Sequence, residues 1–440
     1  MKFRKLSAIV LAALMCIGLV TGCAGTDTET SDNSASESEW FTPALDTETE
    51  QTITVLGNYD NFEALDAAAA SFQEFYPNIT IQYEKMDDYN ENIGPRVASD
   101  TEAAIFMVNR YNFINNEYLP DAVADISTLD IDFDAISDDA IGWYIDDKMF
   151  GIPLWFRYYG LVVNKDILEK EGLSVPTNMT ELEECCDALM EAGYEPPLQQ
   201  APDLAMTFLY NNIAEVVAKE MTADEAAALI KGEEGSAEAL ARVYEKLFGM
   251  MDKGYLSIDN MKEYEDNYNF AILKFYEGNT PFLVASTQTV SGMAKRESNS
   301  EAFQENPFEY EFIFAPTGED GPIVFKGDDT GFALNKNCSY YDAAAEFYRF
   351  IYTEKILNQF SEIKGTPSTA ANPDNELYTS LPDVSEDNLI LFTDIDDPTD
   401  RTKDVFVDVA AAIVEGAVTT PEEATAKFEE LAAAQEAESN

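Results

Sequence analysis

The chain has 440 residues, which is too many for one ordinary hydrophobic core and suits two or three. It has 27 Lys and Arg residues against 83 Asp and Glu residues, and the formal net charge of −56 argues against nucleic acid binding, because phosphates would be repelled. Histidine is absent, which removes the usual general base and the usual transition-metal ligand. We expect no metal and no cofactor.

The start of the chain has the pattern of a secretory signal peptide. Lys2, Arg4 and Lys5 precede a short apolar run, and small residues then lead to Cys23. This ending resembles the bacterial lipoprotein signal, in which the cysteine becomes the lipidated first residue. We therefore expect removal of residues 1–22 and a lipid on Cys23, such as palmitate, that holds the protein at the extracellular face of the cell membrane. The alternative is an ordinary signal peptide with an incidental cysteine.

The segment at 23–50 is predicted to be a disordered tether between the lipid and the folded body. It is rich in Ser, Thr, Asp and Glu and contains too little apolar surface to fold alone.

Strands and helices alternate from residue 51 onward. The stretches QTITVLG, ITIQYE and AIFMVN are predicted strands, and the stretches between them have the apolar spacing of helices. Three strands separated by helices predict a parallel sheet covered on both faces, as in an α/β fold.

The rest of the chain continues this pattern. YGLVVN, PFLVAS and EFIFAP are predicted strands. A helix is predicted at 180–192, with Thr180 and Glu183 as its capping box. Further helical patterns cover 202–254, 341–352, 353–363 and two segments after Lys403.

Four stretches together resemble the family 1 extracellular solute-binding proteins, the receptors of ABC sugar importers with a maltose-binding-protein-like fold. The first is FGIP at 150–153, followed after ten residues by NKD at 164–166. The others, in family order, are ALDAAAASFQEFYPNITIQYE, FYEGNTPFLVAS, and TGFALNKNCSYYDAAAEFYRFIYTEK with the later Gly365-Thr366-Pro367.

The resemblance implies an α/β periplasmic-binding-protein-like fold of type II, with two lobes and a ligand cleft between them. The implied ranges are 51–155 and 327–365 for lobe 1, and 156–326 and 366–440 for lobe 2. The implied crossovers between the lobes lie near 154–156, 325–328 and 365–366. A ligand bound in the cleft would close the lobes by a hinge motion, and the closed monomer would be recognised by the permease subunits of the importer.

The sequence departs from the family pattern at two places where ligands usually lie. Thr287-Gln288 follows PFLVAS, where relatives often have Gly-Trp or Pro-Trp. Asp328-Asp329 precedes TGF, where relatives often have paired glycines. We include all four residues among the expected ligand contacts, since amides, hydroxyls and carboxylates can bond sugar hydroxyls. For the aspartates, the alternative is an acidic surface loop.

The aromatic run WFRYYG follows FGIP. Because a strand alternates its faces, Trp155, Arg157 and Tyr159 are predicted to share one face and Phe156 and Tyr158 the other. Arg157 is poor core material, which favours its face as the cleft face, and a local twist would also expose Tyr158. We expect Trp155, Arg157 and Tyr158 to contact the ligand. The alternative is that all four rings serve packing.

Polar and aromatic residues follow two predicted strands of the first layer. In open α/β sheets, ligands bind beyond the carboxyl ends of the strands. We therefore expect ligand contacts from five residues: Asn58, Tyr59, Asn109, Arg110 and Tyr111. The alternative is that they are ordinary loop and capping residues.

The sequence favours a lipid-anchored receptor that captures a sugar or oligosaccharide and performs no chemistry. No motif isolates catalytic residues, although a glycosidase needs only two suitably spaced carboxylates. Two alternatives stay open: the same fold binding a polyamine or a peptide, and a surface-anchored carbohydrate-active enzyme.

Overall fold

The computed structural model describes most of the folded body. The described residues are 40–109, 116–140, 142–145, 147–200, 212, 215, 219, 237–263, 268–378, 381–382, 384–385, 388–391 and 402–439. Contacts divide the chain into two units, 1–40 and 41–440, and only the second is described at length. The predicted signal peptide, Cys23, Arg110 and Tyr111 lie outside the described residues.

The strands confirm the strand predictions made for both halves of the chain. They are β1 (Gln51–Gly57), β2 (Ile79–Lys85), β3 (Ala103–Val108), β4 (Trp143–Ile145), β5 (Lys148–Pro153), β6 (Phe156–Asn164), β7 (Leu198–Gln199), β8 (Phe282–Ser286), β9 (Tyr310–Phe314), β10 (Val324–Asp328), β11 (Gly331–Leu334) and β12 (Leu389–Leu391).

The helices lie between and after these strands. They are α1 (Glu63–Gln73), α2 (Tyr89–Ser99), α3 (Leu119–Ala122), α4 (Lys165–Glu171), α5 (Met179–Glu191), α6 (Ala237–Asp252), α7 (Ile258–Glu263), α8 (Tyr268–Phe275), α9 (Thr287–Glu297), α10 (Glu301–Glu305), α11 (Tyr341–Ile351), α12 (Glu354–Lys364), α13 (Thr402–Glu415) and α14 (Pro421–Ser439). In the part of the chain that is described, no helix is long and apolar enough to cross a membrane.

Lobe 1 is built on a six-stranded sheet with the spatial order β2-β1-β3-β11-β5-β4. Strand β1 pairs in parallel with both β2 and β3, which confirms the predicted parallel layer. Strand β11 returns from a distant part of the sequence and pairs antiparallel with β3 and β5. The buried faces are apolar, as in β3, where every residue is buried.

Lobe 2 is built on a second sheet with the order β12-β10-β6-β8-β7, and β9 also pairs with β6. Side chains of β6 alternate between two apolar clusters. Leu161 and Val163 belong to one cluster, whereas Val162 belongs to the other. This alternation extends to the start of β6 and determines where its aromatic and charged side chains lie.

The predicted capping box at Thr180 and Glu183 is wrong. Helix α5 begins at Met179, and the Asn178 side chain accepts a hydrogen bond from the Glu181 backbone N–H at 2.9 Å. An Asn at the N-cap satisfies the same orphan donor as a Thr, so the sequence offered two overlapping caps and the earlier one is used.

The prediction of a tether at 23–50 is wrong for its last ten residues, which pack on lobe 1. Phe41 is 2% exposed and forms edge-to-face contacts with Phe75 and Phe350, with ring centroids 5.2 and 4.9 Å apart. The Ala44 N–H donates to the Glu346 carboxylate at 2.8 Å. Amino-acid composition alone does not predict that such a segment is ordered, because a single buried aromatic ring can hold the segment to an existing core.

Replacing Phe41 with alanine should lower the free energy of unfolding by about 2–3 kcal/mol, because a buried ring and its two aromatic contacts are lost. Chemical denaturation monitored by circular dichroism measures this change. The matched control is Phe133→Ala, since Phe133 is 42% exposed and its removal should cost less than about 0.5 kcal/mol. Equal effects in the two variants would contradict the packing role of Phe41.

Candidate ligand-binding site between the lobes

The chain passes directly between the two sheets at two places, from β5 to β6 and from β10 to β11. Strand β5 ends two residues before β6, so the first crossing is at 154–155, as predicted. The predicted crossing at 325–328 is displaced, because these residues pair with β6 in the second sheet and the chain crosses at 329–330. The segment after α12 returns to this place, where the Thr369 hydroxyl donates to the carbonyl oxygens of Pro153 and Leu154, both at 3.0 Å.

An ion pair joins the first two crossings. Arg157 Nη2 lies 2.9 Å from Asp329 Oδ1, and Asp329 is 6% exposed. The other carboxylate oxygen of Asp329 accepts a bond from the Gln288 amide at 2.9 Å. Burial alone would lower the pKa of Arg157, but the neighbouring Asp329 carboxylate outweighs it and raises that pKa. Arg157 therefore stays charged and pairs with Asp329.

Lobe 1 contributes Tyr59 and Lys364 to the same place. The Tyr59 N–H donates to the Tyr83 hydroxyl at 2.9 Å, which fixes the loop after β1. Lys364 Nζ lies 4.0 Å from the centroid of the Tyr59 ring and 5.8 Å from that of the Trp155 ring. Burial and the nearby Asp329 carboxylate raise the pKa of the Tyr59 hydroxyl, so this hydroxyl is neutral and can donate and accept.

The structure thus brings together five of the residues predicted from the sequence: Tyr59, Trp155, Arg157, Gln288 and Asp329. We call this set, with Lys364, the crossing cluster. It lies where the carboxyl end of β1 faces the ends of β8 and β10, which is the edge at which α/β sheets bind ligands.

Lys364 was missed by sequence reasoning. It is the last residue of α12, and a lysine at a helix C-terminus has an ordinary explanation in the helix dipole. The sequence feature that could have identified Lys364 as a site residue is its position directly before Gly365-Thr366-Pro367, the stretch that resembles the last crossover of the family.

The chain's fold and sequence place it among known proteins. The family model of bacterial extracellular solute-binding proteins matches residues 57–356, well over half of the chain. The chain belongs to this family. No curated protein matches the sequence.

Solved solute-binding proteins share the two-lobe fold of this one at low sequence identity. The binding protein MsmE from Bacillus subtilis, in an open conformation, has 16% identity and a TM-score of 0.66, over 90% of this chain and 100% of that chain. The apo form of RafE from Streptococcus pneumoniae has 15% identity and a TM-score of 0.64, over 87% and 98%. A sugar transporter from Bacillus licheniformis, in complex with stachyose, has 18% identity and a TM-score of 0.62, over 86% and 98%.

The aromatic run of this solute-binding protein is more buried than predicted. Trp155 is only 2% exposed, because it is paired with Ser368 in a β-bridge and Lys364 lies over its ring. The Tyr159 ring packs against the apolar cluster of Leu161, and its hydroxyl accepts a hydrogen bond from the Arg157 side chain. Arg157 and Tyr159 share one face of β6, as the alternation predicts, and a ligand contact from the Trp155 ring stays a prediction.

Tyr158 lies away from the crossing cluster. Its ring packs edge-to-face on Phe314, with centroids 5.3 Å apart, and lines a cavity of about 330 Å³ on the other face of β6. Lys326 and Asp139 form an ion pair of 2.7 Å at this cavity. Thr287 is 1% exposed and accepts a bond from the Tyr158 N–H at 3.2 Å. Ligand contacts from Tyr158 and Thr287 stay predictions, and both residues lie apart from the crossing cluster.

The remaining predicted residues flank the cluster. Asn58 is exposed beside Tyr59, and Asn109 is half-buried after β3. Asp328 Oδ2 accepts a hydrogen bond from the Trp143 indole at 3.0 Å, so this carboxylate links the second sheet to β4 of the first. Within the described residues, no group of three metal-ligating side chains is found.

Replacing Asp329 with asparagine should lower the free energy of unfolding by about 2–4 kcal/mol, because the buried Arg157 charge loses its counter-ion. Urea denaturation measures the change. The matched control is Asp134→Asn, which removes the same charge at an exposed position and should be neutral within about 0.5 kcal/mol. A variant at 329 as stable as the control would contradict the proposed importance of the ion pair.

Proposed function

We propose that this solute-binding protein captures a saccharide at the crossing cluster and delivers it to the permease subunits of an ABC importer. The observation that best supports the proposal is that the half-buried Tyr59 ring lies beside hydrogen-bonded polar groups where the two lobes meet. Saccharides offer both flat C–H faces and many hydroxyls, so they match a ring surrounded by donors and acceptors. The relatives support this class, since RafE was solved with raffinose and the Bacillus licheniformis protein with stachyose.

A polyamine fits the crossing cluster less well. An amine ligand needs carboxylates that are free to pair with it. Both oxygens of Asp329 already accept bonds from Arg157 and Gln288, and Asp328 accepts one from Trp143. The two aspartates that made a polyamine attractive in the sequence are therefore engaged by the protein itself.

The protein acts, in this proposal, as a binder and not as an enzyme. Ligand binding across the two lobes stabilises the closed state, and the permease recognises that state. The two carboxylates nearest the cluster are committed to structural bonds, which makes neither a good general acid or base.

A carbohydrate should raise the melting temperature of the mature protein. A saturating ligand at 100 times its Kd adds about 2.7 kcal/mol of stability. A thermal-shift screen should include raffinose, stachyose, acidic oligosaccharides, peptides and polyamines, followed by calorimetry on each hit. Stabilisation by amines or peptides alone would contradict the proposal.

Within that screen, Tyr59→Ala should weaken carbohydrate binding by about tenfold, because the only half-exposed ring of the described cluster is removed. Tyr144→Ala is the matched control, since Tyr144 lies on the edge strand β4, is 48% exposed and is outside the cluster. Release of sugar from a polymer by the purified protein would instead favour the alternative of a carbohydrate-active enzyme.

The anchor is part of the proposal. The basic, apolar and small-residue pattern before Cys23 supports a lipid on that cysteine at the extracellular face of the cell membrane. Cys23→Ser should abolish palmitate incorporation and move the protein from the membrane fraction to the medium, as measured by metabolic labelling and fractionation. Unchanged membrane association would refute the anchor.

A further inference from the structure

Lys364 is the second cationic side chain of the crossing cluster, and the Asp329 carboxylate near it pairs with Arg157. Its ammonium lies over the rings of Tyr59 and Trp155, at 4.0 and 5.8 Å from their centroids. It forms no ion pair with any residue that the structure describes. Burial lowers the pKa of Lys364, which means that the charged form is held there at a cost.

The other two charged side chains of the cluster pair with each other, although Asp329 also favours the charged form of Lys364. Arg157 and Asp329 form a 2.9 Å ion pair, so together they add almost no net charge. Helix α9 begins at this site without a side-chain cap and without an acidic residue in its first turn, and its N-terminus therefore adds a further partial positive charge.

Charges farther away do not reverse this balance. Besides Asp329, the ionisable groups that influence Lys364 are Lys295 and Glu63, which act in opposite directions. The net charge of −56 is spread over the chain, and salt screens exposed charges beyond about 8 Å under physiological conditions. Lys364 is thus a charge of the crossing cluster that the described residues leave without an ion pair of its own.

We propose, on the basis of the function proposed above, that the saccharide is acidic and that its carboxylate pairs with Lys364. The chemical class is an oligosaccharide that contains uronic acid residues. Lobe closure around a neutral sugar would bury the Lys364 ammonium beside a carboxylate that already pairs with Arg157, which is unfavourable. The carboxylate of one uronic acid residue neutralises the Lys364 ammonium, and the pyranose ring of the same residue can still contact Tyr59.

Calorimetry with matched ligands tests this inference. The probes are oligosaccharides of galacturonate, glucuronate and mannuronate, each compared with the same compound after reduction of its carboxyl groups to alcohols. Reduction keeps the ring and the linkage and removes only the charge. At least one acidic oligosaccharide should bind about tenfold more tightly than its reduced form, and the difference should shrink as salt is raised.

Variants of Lys364 assign the effect to this residue. Lys364→Met keeps the apolar stem and should reduce the ratio of acidic-form to reduced-form affinity by about tenfold. Lys364→Arg keeps the charge and should retain most of the preference. Lys148→Met, at an exposed position, is the matched control for net charge and should have no effect. Thermal melting confirms that each variant is folded.

The outcomes separate the two proposals. Binding of neutral saccharides with equal or greater affinity than acidic ones would overturn the inference and leave the saccharide function intact. A preference for acidic forms that survives Lys364→Met would also overturn it. Binding of no saccharide at all would overturn the proposed function and this inference with it.

Discussion

The buried ion pair between Arg157 and Asp329 is the interaction on which the centre of this protein depends. A charge can be buried only with a partner close by, so the two residues must arrive together. Arg157 stands at the start of β6 and Asp329 directly follows β10, and these strands pair with Gly327 opposite Arg157. The pair therefore fixes the register of two strands at the point where both leave their sheet. Lobe 1 and lobe 2 are joined at that point.

The same constraint shapes how the lobes can move. Crossings of two residues between paired strands are short, so rotation is confined to few backbone angles at 154–155 and 329–330. Hydrogen bonds from Thr369 to the carbonyl oxygens of Pro153 and Leu154 add the third chain segment to the same axis. In the proposed function, a hinge at these crossings would leave each sheet unchanged and so preserve the geometry of side chains attached to either lobe.

Most of the fold follows from patterns local to the sequence, but the site follows only in part. The strand-end argument predicted Tyr59, because carboxyl ends of strands collect at one edge, whereas Gln288 was predicted from the family resemblance. Alternation placed Arg157 correctly but could not tell that Trp155 would be covered by Ser368 and Lys364, which are distant in sequence. The alternation of side chains along a strand specifies only the face on which each side chain lies. Whether that side chain is buried depends on what other parts of the chain pack on that face.

In the proposed function, the residues that select the ligand, Tyr59 and Lys364, are also the residues through which the ligand favours lobe closure. Arg157, Gln288 and Asp329 are already bonded to one another before any ligand arrives. Their contacts therefore change little between states and cannot drive closure. A ligand shifts an equilibrium only through groups that it contacts better in one state. In the proposed function these are Tyr59 and Lys364, because they belong to the opposite lobe, and a ligand seated on lobe 2 contacts them fully only when the lobes close.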